Sequence, residues 1–351
     1  MTFRTGEGLL LKKILKTIFV LSLLWITSGC SRIIPIKTVD GYSMTSKDEF
    51  IPINQSDIVF YSDFKKNIKD NSSSYLWTTA SIKKKYSKGN QSFYSIYDHN
   101  NQWLGYVDGK DIDKFSLKYS GHRGFAINLP ENSIASINNA VKNGFKAIEI
   151  DPRVTKDGVP VLMHDPEINR TTNGSGLISQ IEYKDIENLH LKLDNKITNE
   201  KVPTLDEIMK IAKANNLMVN IDCSKMDWGK KSNYDPVMKV ITDNNMINNC
   251  FFVLTNASQK NTFNKAYPDA RLSWLYYEEY SDDKLILDSY SKYKNVIFSV
   301  PEKDVQKEQK VIREFLNRGI QIHVYSVENK DKIDALKKYD VSYVETNTVK
   351  P

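Results

Sequence analysis

The fold of this chain is decided by residues 121–133, GHRGFAINLPENS, together with residues 147–176, AIEIDPRVTKDGVPVLMHDPEINRTTNGSG. Asp157-Gly158 lies between two apolar runs, and that dipeptide in that setting signals a β-hairpin with a two-residue loop of the I′ kind. Closing the turn sets Lys156 opposite Val159 and, counting outward, Asp151 opposite His164 and Glu149 opposite Pro166. Side chains two apart on a strand share a face, and opposed residues have Cβ atoms about 5 Å apart. Glu149, Asp151 and His164 are therefore expected to form one polar cluster. For a lone E-x-D an exposed edge hairpin would be the better reading, but Ala147, Ile148 and Ile150 make this segment a strand buried on at least one face. At another apparent strand end, His122 adds a second histidine beside Arg123.

These residue types point to one chemistry. Two carboxylates with no thiolate nearby suit a hard divalent cation, Ca²⁺ or Mg²⁺, rather than zinc. An arginine fork suits a phosphate. Two histidines supply a proton donor and an acceptor near neutral pH. Together they indicate phosphoester cleavage.

The ordered pieces resemble the glycerophosphodiester phosphodiesterase family. Its HRG opening is matched by His122-Arg123-Gly124, its PENT by Pro130-Glu131-Asn132-Ser133 and its E-x-D by Glu149-Ile150-Asp151. Its T-x-DG and HD are matched between Thr155 and Asp165, with Arg170-Thr171-Thr172 and Val202-Pro203-Thr204-Leu205 following. The match runs from about Tyr119 to the end. The resemblance implies that His122 and His164 are the catalytic acid/base pair, that Arg123 grips the substrate phosphate, and that Glu149 and Asp151 hold the metal with a third carboxylate. It also implies a (β/α)₈ TIM barrel and a glycerol phosphodiester substrate.

Three departures from the family pattern matter. In Leu217–Lys225, LMVNIDCSK, Asp222 stands for the expected glutamate, Ser224 stands for the expected lysine, and Lys225 comes one residue late. Aspartate is one methylene shorter, so the third ligand requires a shift of about an ångström. Strand alternation predicts that Lys225 points away from Ser224, which puts one positive contact to the phosphate in doubt. Near the end, Tyr325-Ser326-Val327-Glu328 replaces W-T-V-N, and Thr346-Asn347 replaces the T-D of T-D-x-P. Tyr325 keeps an aromatic wall for the substrate, while Glu328 and Asn347 change local charge.

The 351 residues suggest two domains, and 40% apolar and 26% charged residues are ordinary for a globular protein. About half of the formal charge of +6 comes from Arg4, Lys12, Lys13 and Lys16 against Glu7, so the remainder gives no argument for nucleic acid binding. Those lysines precede an apolar run, Ile18–Ile26, too short to span a bilayer and ending at Thr27-Ser28-Gly29-Cys30. This resembles a bacterial lipoprotein signal, with residues 1–29 removed, Cys30 diacylated, and the protein anchored on the outer face of the membrane; Thr27 departs from the usual leucine. The other cysteines, Cys223 and Cys250, sit in apolar runs and are expected to be buried free thiols.

Residues 30–53 are polar and are expected to be a tether. Residues 54–112 hold short aromatic runs broken by Asn, Ser, Gly and Lys, which indicates a small all-β module. Its clearest piece, FYSIYDHNNQWLGYVDG, is a hairpin resembling SH3-like wall-binding repeats, with Tyr97 and Trp103 placed for contact with a cell-wall polymer. From residue 118 to 351 a β/α alternation follows, with helices expected at 133–143, 205–214, 236–244, 257–266, 282–293, 305–317 and 330–338. Strands are expected before His122 and at 147–151, 217–222, 250–254, 272–276, 296–300, 321–326 and 343–346. Eight parallel strands in about 230 residues fit the TIM barrel. Two rival readings are a catalytically silent barrel that binds wall polymer and a metal-independent phosphoinositide lyase on the same fold.

Overall fold

The structure, a computed structural model, describes residues 38–275, 283–290 and 292–351. The leader at 1–29 and Cys30 lie outside the described residues.

Eight short strands close into a parallel barrel: Lys118–Gly121, Ala147–Ile150, Met218–Asp222, Cys250–Leu254, Arg271–Leu275, Val296–Pro301, Gln321–Tyr325 and Tyr343–Thr346, the last pairing with the first. Sequences such as AIEI and CFFVL form such strands because helices cover the outside and side chains fill the inside, so both faces are buried. Alternation sorts them. Ile148, Ile150, Val219 and Ile221 pack outward against Leu205, Ile208 and Met209 of the helix Leu205–Ala214, whereas Ala147, Met218, Phe251 and Tyr343 form a separate interior layer. Inward positions two residues further along are polar: Glu149, Asn220, Ser299, His323 and Glu345 are all buried. A third step brings Asp151 and Asp222 to the C-terminal rim.

Helices begin where capping chemistry dictates. Ser133 and Ser136 form a capping box ahead of Ile134–Lys142, and Thr204 with Glu207 does the same for Leu205–Ala214. Most expected helices fall close to those found, but the one expected at 236–244 runs Lys231–Asp243 with Pro236 inside its first two turns, and the one expected at 305–317 begins at Gln309.

The expected hairpin register is corrected by one residue. Pro152 faces Leu162, Arg153 faces Val161 and Val154 faces Pro160, and the Thr155 amide donates to Val159 O at 3.0 Å. The loop is therefore Lys156-Asp157-Gly158, closed by the Gly158 amide donating to Thr155 O, with Gly158 at φ +87°. That is a three-residue loop ending in a left-handed glycine rather than the I′ turn. Asp157 Oδ1 accepts from the Thr155 hydroxyl at 2.6 Å and from the Tyr183 amide at 2.9 Å, so it acts as a loop anchor. As a result Asp151 lies opposite Met163, and Glu149 belongs to the barrel and pairs with Asn220, not with Pro166.

Before the barrel, residues 38–108 form a seven-stranded antiparallel sheet. The described part of the segment expected to be a tether is strand instead: Tyr42–Ile53 is a twelve-residue strand paired with Thr78–Lys88. Its alternation is weak because the outer half carries Ser, Lys, Asp and Glu on both faces. The expected aromatic hairpin is present, with Tyr97 opposite Trp103. The sheet meets the barrel through the Thr79 amide on Gly319 O at 2.8 Å and Gln321 Nε2 on Asn54 Oδ1 at 2.6 Å.

Candidate active site

The rim of the barrel gathers three carboxylates. One oxygen each from Glu149, Asp151 and Asp222 lies within 4.8 Å of the others, and among the described residues no other group of three or more acidic, histidine or cysteine side chains converges in this way. Glu149 and Asp151 are 3% and 1% exposed. Burial, and then the neighbouring Asp151, Glu345 and Asp222 charges, push the Glu149 carboxyl well above its ordinary range. Burial and Asp222 likewise raise Asp151. Like charges held this close in a dry setting favour a bound cation, and oxygen-only donors are the set a hard divalent ion takes. The shorter Asp222 reaches the cluster from the end of its strand, where its Oδ1 also accepts from the Ser224 amide at 2.8 Å.

Backbone geometry holds these groups in place. Arg123 is left-handed at φ 55°, and its amide donates to Glu149 Oε2 at 2.8 Å. Asn132, also left-handed, donates through Nδ2 to Asp151 Oδ2 at 2.8 Å and accepts from the Asp151 amide at 3.2 Å. The Arg123 side chain lies beside Asp151 Oδ2 (3.5 Å) and Glu131 Oε1 (3.0 Å).

The two histidines have separate supports. His122 Nε2 is 3.9 Å from Glu149 Oε2, and its Nδ1 is 2.8 Å from Asn347 Oδ1. The amide of Asn347 is oriented by Nδ2 donating to Glu328 Oε1 at 2.6 Å, so its oxygen faces the imidazole and Nδ1 is the protonated ring nitrogen. The two departures at 328 and 347 thus form one unit, in which acid and amide have exchanged places. His164 donates from Nδ1 to Asp165 Oδ1 at 2.6 Å. Arg170, then His164, lower Asp165 to about 2. Arg170 also bridges to Glu131 at 2.7 Å, linking the support of His164 to the partner of Arg123.

The expectation for Lys225 is corrected. The strand ends at Asp222 and Cys223–Lys225 is a single 3₁₀ turn, so side chains three apart fall on one side. Lys225 Nζ lies 3.1 Å from Asp222 Oδ2. The late lysine returns to the cluster because helical spacing replaces alternation. Cys223 and Cys250 are buried free thiols.

Some groups at the site went unrecognised in the sequence. Buried Arg153 donates to Met163 O and His164 O at 3.1 Å and to Lys225 O at 2.9 Å, tying the hairpin to the 3₁₀ turn. Glu345, inside the barrel beneath Glu149, accepts from Asn220 Nδ2 at 3.1 Å and lies 3.4 Å from His323 Nε2. A cleft of about 440 Å³ opens beside His122, Arg123 and Asn347, walled by the tip Lys192–Asn195 of a second hairpin. Asp194-Asn195, both left-handed, was the turn signal that could have found it. Tyr325 ends the seventh barrel strand half-buried, its ring stacked on His323 with centroids 6.1 Å apart.

Over 231 residues the chain is 26% identical to a glycerophosphodiester phosphodiesterase of Caldanaerobacter subterraneus subsp. tengcongensis, covering 64% of this chain and 92% of that protein. A 105-residue stretch is 40% identical to glycerophosphodiester phosphodiesterase 1 of Bos taurus, covering 29% of this chain and 32% of that one, so the chain spans about a third of the length of the mammalian relatives it matches. The fold matches the crystal structure of a glycerophosphodiester phosphodiesterase from Agrobacterium tumefaciens at a TM-score of 0.55 and 22% identity, covering 66% of this chain and 97% of that one. It also matches an Oleispira antarctica phosphodiesterase in complex with the product sn-glycerol-3-phosphate at a TM-score of 0.56 and 20% identity, covering 67% and 94%. The family model described as the glycerophosphoryl diester phosphodiesterase family matches residues 122–350, and the chain belongs to that family.

Proposed function

We propose that the protein hydrolyses glycerol phosphodiesters to glycerol 3-phosphate and an alcohol, with His122 and His164 as the acid/base pair. The observation that carries this is the convergence of Glu149, Asp151 and Asp222 within 4.8 Å at a rim that also carries His122 and Arg123. The three carboxylates would hold Ca²⁺ or Mg²⁺, which when bound supplies positive charge against the phosphate oxygens. Arg123 and Lys225 offer cationic donors to the same phosphate. One imidazole takes the proton of the attacking hydroxyl or water as the new P–O bond forms; the other gives a proton to the alcohol oxygen as its bond to phosphorus breaks. Fixing Nδ1 of each ring, through Asn347 or Asp165, leaves Nε2 as the exchanging atom.

The leader and Cys30 support a lipid-anchored protein on the outer face of a bacterial membrane, and we propose head-group diesters or glycerol-phosphate wall polymers as its substrates. Tyr97 and Trp103 are the proposed wall-polymer contacts of the β module, and Tyr325 the aromatic wall of the substrate. The silent-barrel reading rests on the missing lysine and the missing third glutamate; against it stand Lys225 Nζ, 3.1 Å from Asp222 Oδ2, and Asp222 itself, within 4.8 Å of Glu149 and Asp151.

The test is turnover of glycerophosphocholine by the purified protein, with and without a chelator and with Ca²⁺ or Mg²⁺ restored. Metal-restored turnover that disappears in His122→Ala and in His164→Ala is expected. Chelator-resistant turnover, or full activity in either variant, overturns the mechanism.

A further inference from the structure

We propose a second ligand site at the opposite end of the barrel, shaped for a small polyhydroxylated anion such as a sugar or polyol phosphate. A cleft of about 620 Å³ opens there, between the β module and the N-terminal ends of five adjacent barrel strands. Lys118, Lys146, Asn216, Asn249 and Tyr343 lie at or just before the starts of those strands, whereas the carboxylate cluster lies at strand C-termini. Its size falls within the range of small-molecule sites.

Three observations select the ligand chemistry. First, Lys118 and Lys146 stand at the starts of two paired strands and both line the cleft, and neither is paired with a carboxylate among the described residues; Lys118 Nζ donates to the Lys114 carbonyl at 2.9 Å, and burial, then Lys146, lower its affinity for a proton. The carboxylate in the wall, Asp57, pairs instead with Lys114 at 3.4 Å. Two neighbouring cations without a counter-charge call for an anion. Second, the floor contains unused hydrogen-bonding capacity. Tyr343 is 1% exposed and its hydroxyl has no partner, and Asn54 Nδ2 in the wall and Arg271 Nη1 below are likewise buried and unpaired. A buried polar atom without a partner is costly, and two in the lining of one cleft, the Tyr343 hydroxyl and Asn54 Nδ2, indicate a ligand that completes them. Third, the asparagine pairs 215–216 and 248–249 line the cleft together with Trp77. Side-chain amides donate and accept at once, as hydroxyls require, and an indole presents an apolar face to the C–H face of a sugar ring. Trp77 is held at φ 64°, a conformation a bulky side chain seldom takes, with the Arg271 guanidinium 5.0 Å from its ring.

The test is calorimetric titration of the full-length protein with glucose 6-phosphate, glucose and inorganic phosphate. Glucose 6-phosphate is expected to bind more tightly than either fragment. Lys146→Gln and Tyr343→Phe are each expected to weaken it about three- to tenfold, the loss of one hydrogen bond or ion contact, while leaving diester turnover unchanged. The same binding should persist in Arg123→Gln, which separates this cleft from the catalytic rim. Phosphate binding as tightly as glucose 6-phosphate, binding lost in Arg123→Gln, affinity unmoved by both cleft variants, or no binding in the millimolar range overturns the proposal.

Discussion

The exchanged pair at 328 and 347 can be tested by restoring each half separately. In Asn347→Asp the introduced carboxylate would take the place of an amide whose Nδ2 sits 2.6 Å from Glu328 Oε1, while the other oxygen keeps its contact with His122 Nδ1. Two unit charges about 4 Å apart repel by about 1 kcal/mol in water and about 4 kcal/mol at an effective dielectric of 20. Both residues are exposed, so the lower end applies, about 1–2 kcal/mol. That strain displaces the group that orients His122, and kcat/KM on glycerophosphocholine should fall roughly five- to thirtyfold. In the double variant Glu328→Asn, Asn347→Asp the repulsion is gone and a carboxylate supports the imidazole directly, so activity should return to within about threefold of the parent. Steady-state kinetics of the two single variants and the double give the coupling. An Asn347→Asp enzyme as active as the parent, or a double no better than that single variant, would show that residues 328 and 347 do not act as one unit on His122.

Other residues make separate predictions. Lys225→Ala should lower kcat/KM at least about tenfold, the usual scale for a hydrogen bond to a charged group, with Lys225→Arg recovering part of it; unchanged kinetics would remove Lys225 from the site. Arg153→Met leaves the carbonyls of Met163, His164 and Lys225 without their donor, and should both lower the melting temperature and reduce kcat, by about 3 kcal/mol in stability. Burial raises the Asp340 carboxyl to about 6, where its Oδ2 accepts from the Phe50 amide at 3.3 Å. Its folded pKa therefore lies above its unfolded value of about 3.9, so ionisation opposes folding: the penalty is absent below about pH 4, grows between pH 4 and 6, and is full above that. Asp340→Asn keeps an acceptor for Phe50 and should stabilise the protein by about 1–3 kcal/mol at pH 7.5 but not at pH 4. Thermal melts at both pH values check this, and an equal shift at both would contradict it.

Much of this architecture was legible because barrel strands carry their own signal. Cys250–Leu254 and Tyr343–Thr346 were found at their observed bounds because a short apolar run between helical patterns has few other readings. The register of the Asp157 hairpin was not legible. Asp-Gly accommodates both a two-residue and a three-residue loop, and the choice was made by Thr155, whose hydroxyl caps Asp157 and accepts from the Val159 amide. The carboxylate cluster survives that error because Glu149 and Asp151 remain two apart on a strand whichever way the hairpin closes. Lys225 was misplaced because alternation was carried past the end of a strand, at a point where Asp222 caps a 3₁₀ turn. Glu345 and His323 went unrecognised because their pairing links residues 22 apart in sequence on two different strands, a relation no local pattern records.

Calorimetric titration of Ca²⁺ and Mg²⁺ into the protein asks whether the carboxylates of Glu149, Asp151 and Asp222 act as one cation site. The prediction is one saturable site that is lost, or weakened at least about tenfold, in each of Glu149→Gln, Asp151→Asn and Asp222→Asn, with a cooperative melting transition retained in all three as evidence of folding. Parent-like affinity in Asp222→Asn, or no cation binding by the parent protein, would contradict it.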